Sequence, residues 1–547
     1  MFSSQMRRFQ FVLLGTLTAA LAGSLCARAQ QPPPRRIVAD ITSTSGPVDQ
    51  FFDLSVGSDY PGTLIRDDSQ AQLKLAVDEL GFRYIRFHAI FHDVLGTVKV
   101  ENGKTVYDWT KIDQLYDDLL ARHIKPFVEL GFTPDALATS QNSIFYWHGN
   151  TSHPKPDGWH DLVDAFIRHI EERYGRDEVR TWYFEVWNEP DIVYWHGTPQ
   201  EYFKLYDYAV AGVRTALPNA KVGGPASTGP AGPKSTAFLQ SFLEHCAHGK
   251  STANGKPIPL DFISFHPKGN TIMANGHVQM GISGELEAAQ NGFRLVAAFP
   301  RYRRLPIILS EADPEGCAAC SVKDNPAKAY RNGPLYASYT ATAIKALFEL
   351  QDEAKVNLIA MLSWSFEFEN KNYFEGFRTL ATNGIDKPIL NLFRMAGLMS
   401  GERVATASTD EVSLADLVKT GVHQAPDVDA FATRADHEAA VMLWNYHDDD
   451  LPAPSADVQI TVSGIPAGVN KVLFEHYRID DTHSNAYTAW KNMGSPQSPT
   501  PEQYAELKAA GQLQLLSSPA WLDVDDGKVT IDSSLPRQAV SLLRLKW

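Results

Sequence analysis

The sequence predicts an α/β protein: a (β/α)8 TIM barrel with an accessory β-sandwich domain. Three observations lead there. From about Leu54 to Phe368, short apolar runs alternate with amphipathic helical stretches, the pattern of β/α units around a parallel sheet. The runs number eight, as a closed barrel requires. After about Gly401 the texture changes to strands that alternate or run apolar between Gly, Pro and Asp turns, as antiparallel sandwiches do.

The eight runs are Leu54–Gly57, Tyr84–Phe87, Pro126–Leu130, Tyr183–Trp187, Val222–Gly224, Phe262–Phe265, Ile307–Leu309 and Leu358–Leu362. Helical patterns such as Ile112–Arg122, Trp159–Tyr174, Pro199–Ala216 and Ala337–Leu350 separate them. Later strands are expected at Val441–Tyr446, Val458–Val462, Lys471–Arg478, Val529–Ile531 and Ala539–Leu545, and Ile37–Ile41 can add one more. The expected organisation is therefore a signal peptide over residues 1–29, a lead-in over 30–50, a barrel over 51–400 and a sandwich over 401–547.

The export reading rests on Arg7 and Arg8 ahead of an apolar run from Phe9 to Leu25. Ala27-Arg28-Ala29 then supplies small residues at a cleavage site before Gln30. A periplasmic or extracellular protein with no membrane attachment after signal removal is expected. Of the four cysteines, Cys26 leaves with the signal, so Cys246, Cys317 and Cys320 form no complete disulfide framework. Cys317-Ala318-Ala319-Cys320 can close a tight loop in an oxidising compartment. No second Cys/His pair at a matching spacing suggests zinc. A net charge of −14 over 547 residues excludes nucleic acid as a partner, because phosphate binding needs clustered Lys and Arg. Self-association into a homo-oligomer is left open.

Chemistry concentrates at two strand ends. Trp182-Tyr183-Phe184-Glu185-Val186-Trp187-Asn188-Glu189-Pro190 delivers Glu189 where the fourth strand opens into its loop, and Pro190 cannot extend the ladder. Pro306-Ile307-Ile308-Leu309-Ser310-Glu311 delivers a second acid from the seventh strand, across the barrel mouth. Paired carboxylates in that relation suit glycosidic hydrolysis, one protonating the leaving oxygen and the other attacking the sugar. Asp313 and Glu315 are rivals to Glu311 as the second acid. Asn188 is of a kind to donate to the sugar 2-hydroxyl.

The chain resembles glycoside hydrolase family 39, which holds bacterial β-xylosidases and α-L-iduronidase. The resemblance covers nearly the whole mature chain. It is carried by Arg86-Phe87-His88, Glu129-Leu130-Gly131-Phe132-Thr133-Pro134, Trp187-Asn188-Glu189-Pro190-Asp191, Gly223-Gly224-Pro225 and Asp261-Phe262-Ile263-Ser264-Phe265-His266. Tyr477-Arg478-Ile479-Asp480 with His483-Ser484-Asn485-Ala486 looks like the family's late motif. The resemblance implies Glu189 as acid/base and Glu311 as nucleophile of a retaining, exo-acting enzyme, with no metal or organic cofactor. It implies His88 and His266 as sugar contacts. Trp364 is expected as a wall under the sugar, Phe132 and Trp147 opposite it, and Glu367 or Glu369 as a hydroxyl acceptor.

The substrate signals conflict. Lys268 and Arg378 resemble the residues that hold the substrate carboxylate in α-L-iduronidase, and an Arg fork with a Lys point charge suits an anion. Glu311-Ala312-Asp313-Pro314-Glu315 and Tyr330-Arg331-Asn332-Gly333 resemble a bacterial β-xylosidase subgroup. The expectation is release of xylose from β-1,4-xylooligosaccharides or aryl β-D-xylosides. The alternatives are α-L-iduronidase-like or α-L-arabinosidase activity, an endo-acting polysaccharide hydrolase, and a non-catalytic carbohydrate-binding protein.

Overall fold

A computed structural model describes residues 34–48, 51–364 and 371–547. The export segment and the Glu367/Glu369 pair lie outside the described residues. Among the described residues no helix is long and apolar enough to cross a membrane.

Eight strands pair in parallel in chain order: Ser55–Gly57, Tyr84–Phe87, Lys125–Leu130, Tyr183–Val186, Lys221–Thr228, Phe262–His266, Pro306–Leu309 and Asn357–Met361. The Gly57 amide donates to the Ser363 carbonyl at 3.1 Å, linking the first strand to the end of the eighth. All eight expected runs coincide with these strands. The four helical stretches recur as Thr110–Ala121, Pro156–Tyr174, Pro199–Ala216 and Pro334–Ala354.

The period of two along a strand layers the barrel interior. Tyr84, Phe127, Tyr183, Phe262 and Ile308 share one small buried cluster. The Phe127 and Phe262 rings meet at 5.9 Å although their strands are not neighbours, so they meet inside the barrel. Two residues further along three of these strands stand Arg86, Glu129 and Glu185, a buried charged layer. The intervening Ile85, Val128, Phe184 and Ile263 face outward into the main core with the helices.

The accessory sheet has ten strands and is mostly antiparallel. Glu438–Tyr446 pairs with Asp427–Ala435 on one side and with Val540–Lys546 on the other. It is buried on both faces: Val441 and Leu443 enter the sheet's own core, while Met442, Trp444 and Tyr446 join the core of the barrel helices. Ile37–Ile41 lies within Arg35–Pro47, which pairs antiparallel with Glu402–Ser408 and parallel with Ala456–Ser463. Four further strands, Glu402–Ser408, Asp427–Ala435, Gln514–Leu515 and Ala520–Asp523, were not expected from the sequence. The first buries only Val404 fully, and the second interrupts its apolar pattern with Asp427 and Asp429.

The late motif forms a turn that leads into an inserted helix, Ala486–Asn492. Asp480 accepts from the amides of Thr482 and His483, and Ser484 donates its hydroxyl to the Arg478 carbonyl. Asn391, on the barrel helix Pro388–Gly397, donates to the Ser484 carbonyl at 3.1 Å. That bond fastens the motif to the barrel.

Candidate functional site

A cavity of about 570 Å³ opens at the C-terminal ends of the barrel strands, with Glu189 and Glu311 in its wall. One carboxylate oxygen of each and a ring nitrogen of His266 lie within 4.8 Å of one another. Glu189 is held by its backbone. The Trp187 amide donates to the Leu130 carbonyl at 3.0 Å, and the Glu189 amide donates to the Ala226 carbonyl at 2.8 Å. Between those anchors Trp187 and Glu189 adopt φ values of 72° and 44°, a left-handed conformation that costs non-glycine residues on the order of 1–3 kcal/mol. The neighbouring strands over-determine the turn and aim the carboxyl inward. Its Oε1 lies 2.9 Å from His266 Nδ1, whose other nitrogen faces Ser310 Oγ at 3.0 Å.

Glu311 is set in cations. Arg86 donates to Oε1 at 3.2 Å and Lys268 Nζ donates to Oε2 at 2.8 Å. Burial alone would raise this carboxyl's pKa. Lys268, His266 and Arg86 outweigh burial and hold it well below the usual carboxylate range. Arg86 is itself fully buried and fixed by Glu185 (2.6 Å), Glu129 (3.0 Å) and the Asn188 side-chain oxygen (3.0 Å). His88 Nδ1 meets Glu129 at 2.7 Å, and the Ala89 amide donates to the same carboxylate at 3.2 Å. A carboxylate bound by three donors leaves His88 Nδ1 as a donor and orients the ring.

Trp364 stands against His88 with ring centroids 4.5 Å apart and under the Arg86 guanidinium at 5.2 Å. Its seat depends on Gly57, where a Cβ would overlap the Trp364 ring. Trp147 forms part of another wall and stacks on Phe145 (5.0 Å) and Tyr60 (5.3 Å).

The rivals of Glu311 are engaged elsewhere. Asp313 accepts from Lys268 at 2.7 Å, the Trp364 amide at 3.0 Å and Ser363 Oγ at 3.2 Å. Glu315 is buried against Arg331, Lys328, Tyr330 and Arg378, which outweigh its desolvation and keep it ionised. Both acids brace the loop behind the cavity.

The family-39 pattern of glycosyl hydrolases matches residues 35–521. The chain belongs to this family. It is therefore a glycoside hydrolase. It is 30% identical to a beta-xylosidase from Caldicellulosiruptor saccharolyticus over 511 residues, covering 91% of this chain and 96% of that protein. It is 27% identical to human alpha-L-iduronidase over 468 residues, covering 80% of this chain and 66% of that protein. Among solved structures, a monomeric beta-xylosidase from Caulobacter crescentus CB15 superposes with a TM-score of 0.77 at 35% identity, over 94% of this chain and 99% of that chain.

Within the family-39 chain, His88, Trp147, Asn188, His266, Lys268 and Trp364 all line the cavity beside Glu189 and Glu311. Two expected contacts do not. Phe132 packs behind the wall, edge-on to Trp147 at 5.3 Å and against Trp187 at 5.6 Å. Arg378 is fully buried and donates to the Glu315 carbonyl, with Asp313 at 3.4 Å. Its position in a loop gave no sign of which way it points. Sequence reasoning assigned no role to Asp59, Phe145, Tyr146, Ile192 and Tyr194, which also line the cavity. Nor did it assign one to the buried Arg86–Glu129–Glu185 layer. Charges at every second position of otherwise apolar strands were the available signal. Cys317 and Cys320 form a disulfide, and their loop supplies another wall.

Proposed function

We propose that the protein is an exported, exo-acting, retaining β-D-xylosidase in which Glu311 is the nucleophile and Glu189 the acid/base. One observation carries the choice of sugar. Lys268 bridges Glu311 and Asp313, and Arg378 lies behind the cavity on Asp313 and Glu315. Across the whole cluster, Arg86, Lys268, Lys328, Arg331 and Arg378 meet Glu129, Glu185, Glu311, Asp313 and Glu315. Five cations against five carboxylates leave no surplus positive charge for a uronate. A neutral pentopyranose asks for none. Part of a buried ion pair would have to be dismantled to free a cation for a substrate carboxylate, at a cost of several kcal/mol.

The carboxylate spacing favours retention, since retaining pairs stand about 5–5.5 Å apart and inverting pairs about 6.5–9.5 Å. Glu311, ionised despite burial, attacks the anomeric carbon while Glu189 delivers its proton to the glycosidic oxygen. Glu189 then takes a proton from water, whose oxygen displaces Glu311 from the anomeric carbon and releases the sugar. His266, shared between Glu189 and Ser310, keeps the acid's carboxyl aimed.

The test is kcat/KM on 4-nitrophenyl β-D-xylopyranoside against the matching α-L-iduronide and α-L-arabinopyranoside. Dominance of the xyloside is expected. An iduronide preference would mean that Lys268 leaves Glu311 for the substrate, and the proposed sugar would fall. Export is checked by sequencing the N-terminus of the protein recovered outside the cytoplasm, with Gln30 expected first.

A further inference from the structure

The cavity is chemically two-sided. Its deep side carries His88, Asn188, His266 and Lys268 around the two carboxylates. Its other side is built by the segment that follows Glu189, with Ile192 and Tyr194, and by Ala231, Ala288 and the disulfide loop, while Phe145 joins the two sides, stacked on His88 at 5.6 Å. With Glu189 as the acid and His88, Asn188 and His266 around the sugar, this second side is the part of the cavity left for the departing aglycone.

Two of the three hydroxyl donors on that side are already engaged. The Thr228 hydroxyl donates to Asp191, and the exposed Tyr146 donates its hydroxyl to Asp59. The carbonyls of Cys317, Ala318 and Cys320 turn away from the cavity and accept from Arg331. Ala318 also accepts from the Arg378 amide at 3.2 Å. Those three peptide oxygens are thus engaged by Arg331, and the loop brings the Ala318 and Ala319 methyl groups and the disulfide sulfur to the site. Phe145 and Tyr194, with centroids 4.8 Å apart, provide flat aromatic surface.

We propose that this outer half is a leaving-group site for a flat aromatic aglycone, not for a second sugar. The inference rests on reading Glu189 as the acid. A second xylose would bring hydroxyls to a wall that, among the described residues, offers the Tyr194 hydroxyl as its one side-chain donor not already engaged. Each buried hydroxyl left without a partner costs about 1–3 kcal/mol. An aromatic ring brings no such hydroxyls, gains by burying its apolar surface, and finds rings to pack on in offset or edge-on geometry. The substrate class that follows is xylosides of phenolic or aryl-alkyl alcohols.

The experiment compares kcat/KM for 2-phenylethyl β-D-xyloside and β-1,4-xylobiose. Both release an alkyl-type alcohol, and phenylethanol is no better a leaving group than a sugar hydroxyl, so a faster phenylethyl substrate reports binding in this site. At least a tenfold preference for it is expected, shrinking in Ile192→Asn and in Tyr194→Ser. Equal or faster cleavage of xylobiose by the wild type overturns the inference. Turnover of 4-nitrophenyl β-D-xyloside in the same assay separates the two readings. Its absence removes the proposed glycone and this inference with it, whereas its presence alongside a xylobiose preference removes only the aromatic site.

Discussion

Replacing Lys268 by Met removes one positive charge from beside the proposed nucleophile, Glu311, while keeping most of the side chain's length. With Nζ at 2.8 Å from Glu311 Oε2, Coulomb's law at an effective dielectric of about 20 gives about 6 kcal/mol as a ceiling on the pair. Arg86 and His266 remain beside Glu311, and a neighbouring opposite charge lowers a carboxyl by about 1–3 pH units in practice. The sign follows from the mechanism. Glu311 must be ionised to attack, so kcat/KM falls as pH drops through its pKa. Losing Lys268 also leaves the Asp313 charge nearby with only Arg378 against it, which pushes that pKa further upward. The acid limb of kcat/KM on 4-nitrophenyl β-D-xyloside should therefore move up by about 1–3 pH units in Lys268→Met, with part of the activity regained at higher pH. A lower plateau with the acid limb unmoved would refute the electrostatic role and return Lys268 to simple substrate contact.

Glu189→Ala should lose turnover by orders of magnitude on poor leaving groups and be rescued by azide as the β-glycosyl azide. An α-azide, or none, would contradict the acid/base assignment. Burial pushes the Asp59 carboxyl up to about 7, with the charge of His88 opposing. The folded state therefore holds this proton more tightly than the unfolded chain, so its contribution is present at low pH and is lost as pH rises through about 7. The Tm difference of Asp59→Asn minus wild type should accordingly grow between pH 5 and pH 8, and a pH-independent difference would contradict this. Cys317 and Cys320 are three residues apart, so chain entropy assigns their bond only about 2 kcal/mol. Urea unfolding of Cys317→Ala/Cys320→Ala should show a loss no larger than that, because Arg331 already binds the loop's carbonyls.

The barrel was legible because most of its strands are short runs dominated by apolar residues, and because Glu189 and Glu311 stand just after such runs. The site's walls were harder to read. Phe132 and Trp147 occupy the same loop region, yet one faces the cavity and the other supports it from behind, a difference that only the packed loop decides. Lys268 and Arg378 were read as a pair because both resemble the residues that hold the substrate carboxylate in α-L-iduronidase. The acids that neutralise them, Asp313 and Glu315, come from the seventh-strand loop and carry no pairing signal in sequence. In the accessory sheet, Glu402–Ser408 escaped notice because a single fully buried valine leaves no alternation to see.

The strand Arg35–Pro47 lies inside a sheet whose other members all come from beyond residue 401, with partners on both of its edges. During synthesis its two neighbours emerge about 370 and about 420 residues after it (Ile37 pairs with Ser408, Arg35 with Val458), so the sheet cannot close until the polypeptide is nearly finished. Until then this stretch has two unpaired edges. The same pairing makes the last strand formed a latch rather than a tail. Truncation within Glu402–Ser463 would release the start of the chain as well as its end, and such a protein should aggregate through the exposed edges instead of yielding a free-standing barrel.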